Sequence, residues 1–264
     1  MTTLRYDAGA AAYDRLTGRW SAMFAAAALD AVDVSPTDKV LDLAAGTGDG
    51  ALLAVQRLGH SGNAIAVDLS VPMLVVAQSK PSSRPVDFVA ADAQRLPFLD
   101  RTFDAVICLF GLMFFPNALR ALAEVRRVLR PGARFAATVW RTPEDAAFSG
   151  FIAQALGEAL PADREELLRP FSLSDAAQVE RLLNEGGYGK IDVRREIRTA
   201  HFSSFEDYWD PIEAGGGRLG QAYLGLPPQT KVAVRQRVQE ELSTLTVNGQ
   251  IVMPLAAHLV VGQV

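Results

Sequence analysis

The segment Val40–Gly50, VLDLAAGTGDG, is where residue types and spacing first suggest chemistry. An apolar run ends in a loop punctuated by Gly46 and Gly48, and a helix-like stretch follows. Glycine lets the backbone approach a ligand where a Cβ would intrude, and at the carboxyl edge of a parallel strand that property suits a nucleoside derivative. Asp68 follows Gly46 by 22 residues at the end of the next apolar run. A carboxylate there can accept hydrogen bonds from both hydroxyls of a ribose. Gly46, Gly48 and Ala51 also satisfy the G-x-G-x-x-A form of the dinucleotide fingerprint. A Rossmann-type oxidoreductase using NAD is therefore the rival reading.

Three features favour S-adenosylmethionine, a cationic ligand, over a dinucleotide. Asp42 lies inside the strand just ahead of the glycines, where the charge of a pyrophosphate makes a buried acid unfavourable and a cation makes it favourable. Ala90-Ala91-Asp92-Ala93 sets an acid and a small residue at the end of the third apolar run, where a carboxylate can accept the adenine amino group. The late extended runs leave no second nucleotide-binding half.

Other reactive groups are sparse. His60, His201 and His258 are the only histidines, and none has metal-ligand spacing on a recognised helix, so no metal site is expected. His60 precedes the second strand and reads as a surface residue, while the other two lie in extended runs where a satisfied structural histidine is the commoner case. No residue is assigned as a catalytic base. In-line methyl transfer draws most of its acceleration from positioning and exclusion of water; an amine acceptor that binds neutral needs no base, whereas a hydroxyl or an acidic carbon is helped by one, so attack by O, N or C stays open.

These residues need a scaffold, and the chain can supply one. Of its 264 residues 49% are hydrophobic and 21% charged, ordinary values for a chain that buries a core. Twenty-six Lys and Arg against 30 Asp and Glu leave a net charge of -4, without the basic surplus that binding to nucleic acid exploits. A small-molecule acceptor is expected instead, and a homodimer is left open. Cys108 is the only cysteine, so no intrachain disulfide or multi-cysteine zinc site can form. The opening residues show no basic stretch followed by an apolar one, and no run reaches the ~18 apolar residues of a membrane span. The expectation is a cytoplasmic protein.

Short apolar runs at Lys39–Ala44, Asn63–Leu69, Val86–Ala91, Phe103–Phe110 and Ala133–Trp140 alternate with helix-like segments at 49–58, 71–79 and 117–129. That alternation predicts a doubly wound α/β fold whose parallel strands are buried on both faces. Leu119, Leu122, Val125 and Leu129 are expected on one helix face, and Pro131 and Gly132 after its end. Residues 6–34 read as mainly helical, with Trp20, Met23, Phe24, Ala27 and Ala31 as a stripe. After Trp140, helical patterns at 144–160 and 174–185 precede extended runs at 190–202 and 249–264. About fifty residues separate those runs, with helix-like 205–213 and 228–245 around a Gly215-Gly216-Gly217 loop. That length exceeds the ~2 to 6 residues of common connections, so this insertion should have its own structure and can cap a pocket.

Over residues 38–140 strongly, and in the N-terminal helices weakly, the chain resembles class I S-adenosylmethionine-dependent methyltransferases of the ubiquinone/menaquinone-biosynthesis-like branch. VLDLAAGTG carries the resemblance, with RLPFLDRTFDAVICLFGLMFF and EVRRVLRPGARF similar to later family segments. The resemblance implies a Rossmann-like, mostly parallel seven-stranded sheet with an antiparallel last strand. It divides the chain into a helical lid (1–36), a cofactor-binding core (37–142) and a C-terminal half (143–264) with a helical insertion at about 203–248. It implies that Asp42, Ala44, Gly46 and Gly48 surround the methionine part of the cofactor, Asp68 holds the ribose, and Asp92 with Ala93 meets adenine. Leu69, Met73, Leu109 and Phe110 complete that set, with S-adenosylhomocysteine as product. Ala44 departs from the family, whose loop usually begins with glycine. Tyr13, Trp20, Met113, Phe114 and Tyr208 are candidate acceptor contacts, with core packing the equal rival for each and the better one for Trp20. A protein that binds the cofactor without transferring its methyl group remains an alternative.

Overall fold

Four parallel strands open the sheet, each short and apolar: β1 (Lys39–Leu43), β2 (Asn63–Asp68), β3 (Asp87–Ala90) and β4 (Phe103–Leu109). They are joined in a computed structural model that describes residues 10–14 and 18–264. β5 (Leu129–Trp140) and β6 (Gly189–Phe202) follow, then a two-residue β7 (Thr246–Val247) and β8 (Gln250–Gln263). The order across the sheet is β3-β2-β1-β4-β5-β8-β6, with β7 paired to β8 outside this path. β8 runs antiparallel to both β5 and β6, and every other pairing in the main path is parallel. The sheet is therefore the doubly wound, mostly parallel one expected, with the antiparallel strand inserted next to last.

Register puts the functional loops together. Asp42 pairs with Ala66 on one side and Ile107 on the other, and Asp68 pairs with Ala90. The segments following β1, β2, β3 and β4 thus leave the same carboxyl edge, which is where ligands bind in open α/β sheets.

Helices cover both faces. Asp49–Arg57 starts at Gly48, whose φ of 83° is the left-handed conformation that glycine adopts without strain. Val71–Ser79 is capped by the Ser70 hydroxyl, which accepts from the Met73 N–H, and Pro72 fits its first turn. Ala118–Val128 is capped by Asn117, whose side chain accepts from the Arg120 N–H. Its buried face is Ala121, Leu122, Val125 and Val128, whereas Leu119 is exposed and Leu129 already begins β5. The expected stripe holds at Leu122 and Val125 and shifts to Ala121 and Val128 at its ends, the latter because the helix stops a residue earlier and turns directly into the strand.

Among the N-terminal residues, 6–9 and 15–17 of the expected helical region lie outside the described residues. Helix Ala25–Ala31 buries Ala25, Ala28 and Leu29, so Ala27 and Ala31 of the expected stripe lie at its margin. Phe24 just ahead of it is fully buried, which contributes roughly 1.5 to 3 kcal/mol. Its ring stands edge-on to Phe110 and Trp140.

The insertion between β6 and β8 holds three helices, Phe205–Glu213, Gly217–Leu224 and Pro228–Ser243. The middle one was not legible, because Gly217 and Gly220 within it, with Gly215 and Gly216 just ahead, suppress helical propensity. Asn248 and Gly249, with φ of 52° and 79°, make the two-residue turn that folds β7 onto β8. Among the described residues no helix is long and apolar enough to cross a membrane.

Candidate functional site

The loop after β1 is built around two carboxylates. Asp42 is buried at 1% exposure; its Oδ2 accepts the Ala51 N–H at 2.7 Å, and its Oδ1 has no partner among the described residues. Burial pushes this carboxyl up to about 7; the Ala51 hydrogen bond opposes the shift, and the charges of Asp49 and Asp68 add to it. Gly50, which the sequence reading passed over, is required here: a Cβ on it would fall 2.5 Å from Asp42 Oδ2.

Asp68 ties the loop to the end of β2. Its Oδ2 accepts the Gly46 N–H and its Oδ1 the Ser70 N–H, both at 2.8 Å. Burial raises its carboxyl above the usual range, and hydrogen bonds from Ser70, Gly46 and Leu69 oppose that. A carboxylate has about four lone-pair sites, so beyond these three hydrogen bonds about one remains for a ribose hydroxyl. Gly46 itself has a φ of 53°, and a Cβ on it would meet nothing within 4 Å. Gly48 is the opposite case, since a Cβ there would fall 2.7 Å from Ala77 Cβ. One glycine faces free space and the other a packed helix.

Two non-glycine residues at the same edge hold left-handed backbone, Ala44 and Phe110, each with a φ of 55°. Such residues cost of order 1 to 3 kcal/mol each and persist where the surroundings enforce them. Ala44 thus adopts the geometry that the family's glycine would take freely. Phe110 is held by stacking on Trp140, with ring centroids 3.7 Å apart and planes 17° from parallel, and by its N–H donating to the Thr138 carbonyl. Leu109 ahead of it is partly buried.

On the other flank Asp92 is exposed, its Oδ1 accepting the Gln94 N–H at 2.8 Å, and Ala93 is buried. Leu69 is 70% exposed and Met73 buried. Tyr13 is half-buried, its Cδ2 3.7 Å from where a Cβ on Gly217 would lie. Trp20 is buried edge-on to Phe202, with the Arg19 guanidinium over its ring. Tyr208 is fully buried and also packs edge-on to Phe202. Met113 is buried and Phe114 half-buried. Trp20 and Tyr208 therefore share one aromatic cluster, while Phe24, Phe110, Trp140 and Phe148 form the next.

The remaining reactive groups are placed as structure. Cys108 is buried and its thiol pushed up to about 12, so it stays protonated. His60 and His201 are exposed, and His258 is buried with Nε2 2.8 Å from the Ser174 carbonyl. Burial lowers its ring below the usual range, and the hydrogen bond to the Ser174 carbonyl opposes that. No group of three or more potential metal ligands occurs among the described residues.

Comparison with known proteins bears on what this edge does. Residues 40–132 match a family model described as a methyltransferase domain. A demethylmenaquinone methyltransferase of Mycolicibacterium vanbaalenii is 42% identical over 133 residues, 50% of this chain and 55% of that protein. One from Staphylococcus saprophyticus is 30% identical over 175 residues, 62% of this chain and 75% of that protein. The chain belongs to the class I S-adenosylmethionine-dependent methyltransferase family, in its ubiquinone/menaquinone-like branch. It spans about half the length of the first of these curated relatives. Among solved structures, an N-methyltransferase of Haemonchus contortus in complex with phosphomonomethylethanolamine and S-adenosylhomocysteine superposes with a TM-score of 0.58. It is 17% identical, and the match covers 98% of this chain and 57% of that one. That likeness concerns the methyltransferase fold alone. The family model falls on β1 to the start of β5, the part that contains Asp42, the glycine loop, Asp68 and Asp92.

Proposed function

We propose that this chain binds S-adenosylmethionine at the carboxyl edge of β1 to β4 and transfers its methyl group to a small molecule. The observation that carries the reading is Asp42, a buried acid whose Oδ1 has no partner among the described residues, in the strand that leads into a loop whose Gly46 faces free space. A ligand cation nearby favours its ionised form, whereas the pyrophosphate of NAD would oppose it.

The residues divide the work. Asp68 holds the loop through Gly46 and offers its remaining acceptor site to the ribose. Met73, Leu69, Asp92 and Ala93 border the adenine, and Ala44, Gly46, Gly48 and Leu109 the methionine part. Phe110, fixed against Trp140, walls the methyl end. Bound there, the cofactor supplies a methyl group on a sulfonium, open to in-line attack. The chain's part is to align the acceptor and keep water out.

For the acceptor, the relatives' names point to a quinone-like substrate of those proteins. Here the reading is a small, largely apolar or aromatic metabolite, bounded by Tyr13, Trp20, Met113, Phe114 and Tyr208, with the N-terminal segment and the insertion as cover. The acidic balance of the chain supports a small molecule over nucleic acid. The test is incubation with methyl-labelled cofactor and a panel of aromatic acceptors, reading S-adenosylhomocysteine formed against acceptor methylated. Binding of S-adenosylhomocysteine without turnover on any acceptor would favour a non-transferring binding protein.

A further inference from the structure

Asp14, Thr47, Asp49 and Lys80 meet on the glycine loop, and the function proposed above gives them no role. Lys80 Nζ lies 2.7 Å from Asp14 Oδ1 and 2.9 Å from Asp49 Oδ1, all three side chains being only 20% to 30% exposed. Thr47 Oγ1 lies 2.6 Å from Asp14 Oδ1 and 3.3 Å from Asp49 Oδ2. A hydroxyl carries one proton, so the shorter distance assigns it to Asp14. Asp49 is left to Lys80 for neutralisation. Four elements converge: the N-terminal segment through Asp14, the loop through Thr47, the first turn of Asp49–Arg57, and the end of Val71–Ser79 at Lys80.

The described residues on either side of Asp14 reach from the glycine loop to the C-terminal insertion. Gly18 backs onto the cluster, since a Cβ there would fall 2.9 Å from Asp14 Oδ1 and 3.3 Å from Thr47 Oγ1. Tyr13 reaches toward Gly217, Trp20 packs on Phe202, and Arg198 Nε donates to the Met23 carbonyl. Thr47 is the neighbour of Gly46, so the anchorage of this segment and the open space for the ligand share one loop. We propose that Lys80 is a positioning residue for cofactor retention, acting through Asp14 and Thr47 to hold the described N-terminal residues against the Gly46–Gly48 loop. This rests on the cofactor site proposed above.

The chemistry gives the proposal a sign that a merely structural lysine lacks. Without Lys80 the two half-buried carboxylates face each other with one hydroxyl proton between them, and like charges at that range repel. Asp14 is the partner that yields, because Asp49 is fixed in a core helix. Converting Asp14 to an amide in the same background removes the repulsion. Its oxygen still accepts from Thr47, and its nitrogen can donate to Asp49.

The experiment is stopped-flow release of S-adenosylhomocysteine from the parent, Lys80→Met, Lys80→Arg and Lys80→Met/Asp14→Asn, with circular dichroism as the folding control. Lys80→Met should release the ligand about tenfold faster, the scale of a lost charge-assisted hydrogen bond. Lys80→Arg should stay close to the parent, and the double variant should release more slowly than Lys80→Met. Should Lys80→Met fail to fold, Asp14→Lys, which alters only the peripheral segment, is expected to show the same acceleration. Unchanged release in Lys80→Met or Asp14→Lys overturns the proposal, as does a double variant no slower than the single. A parent that binds no S-adenosylhomocysteine overturns the cofactor site as well, which separates the two failures.

Discussion

Replacing Asp42 with asparagine removes a charge while keeping shape, and the structure sets the size of the effect. Burial holds this carboxyl at about 7, against 3.8 when exposed. The difference of about 3 pH units, at 1.36 kcal/mol per unit, corresponds to about 4 kcal/mol. The sign follows from proton occupancy. Between the two values the unfolded chain has released this proton and the folded chain retains it, so rising pH weakens the fold across that window and has no further effect above it. Parent and Asp42→Asn should be compared by urea unfolding from about pH 4 to about pH 8. The stability of the parent relative to the variant should fall by about 4 kcal/mol as pH rises to about 7, then level. A cationic ligand favours the carboxylate, so binding below about 7 should release a proton, with affinity rising by up to about tenfold per pH unit. Calorimetry of S-adenosylhomocysteine in buffers of different ionisation enthalpy measures that proton. Stability curves that run parallel, together with proton release unchanged in Asp42→Asn, would refute the reasoning.

The other site residues give separable outcomes. Asp68→Ala leaves the Gly46 and Ser70 N–H groups without their acceptor and removes the ribose contacts, so affinity for S-adenosylhomocysteine should fall at least about tenfold in calorimetry. Gly46→Val should abolish ligand binding, because its side chain enters free space beside the loop, while circular dichroism shows a retained fold whose melting temperature falls only by the backbone strain at a φ of 53°. Gly48→Ala should instead lower the melting temperature, since its Cβ collides with Ala77; overpacking of this kind costs about 1 to 3 kcal/mol, with backbone strain added. If Gly46 and Gly48 variants behave alike, the distinction between a ligand-facing and a packing glycine is wrong.

The parallel core was legible because its strands are continuous apolar runs and the glycine-bearing loop between β1 and the next helix has few alternative structures. Asp68 was legible for the same reason, since a strand end at a fixed distance from a glycine turn determines its place. What escaped depends on three-dimensional convergence. Lys80 and Asp14 are separated by 66 residues, and nothing in either local pattern links them. Gly50 looked like helix interior, and only the buried carboxylate beside it explains the absence of a side chain. The stacking of Phe110 on Trp140 joins the ends of adjacent strands, a pairing that periodicity predicts for the strands but not for rings that leave their edge. In the insertion, Gly215, Gly216, Gly217 and Gly220 hid a helix held by tertiary packing: a Cβ on Gly220 would fall 2.6 Å from the Gly215 carbonyl carbon.

The most direct test of the account traces the methyl group itself. Methyl-labelled S-adenosylmethionine is incubated with the protein and a fractionated small-molecule extract, and label is followed into every fraction alongside S-adenosylhomocysteine. The account predicts label in a small, apolar or aromatic metabolite in equal amount to the S-adenosylhomocysteine formed. Label found only in protein or nucleic acid, or none transferred while the cofactor is bound, would contradict it.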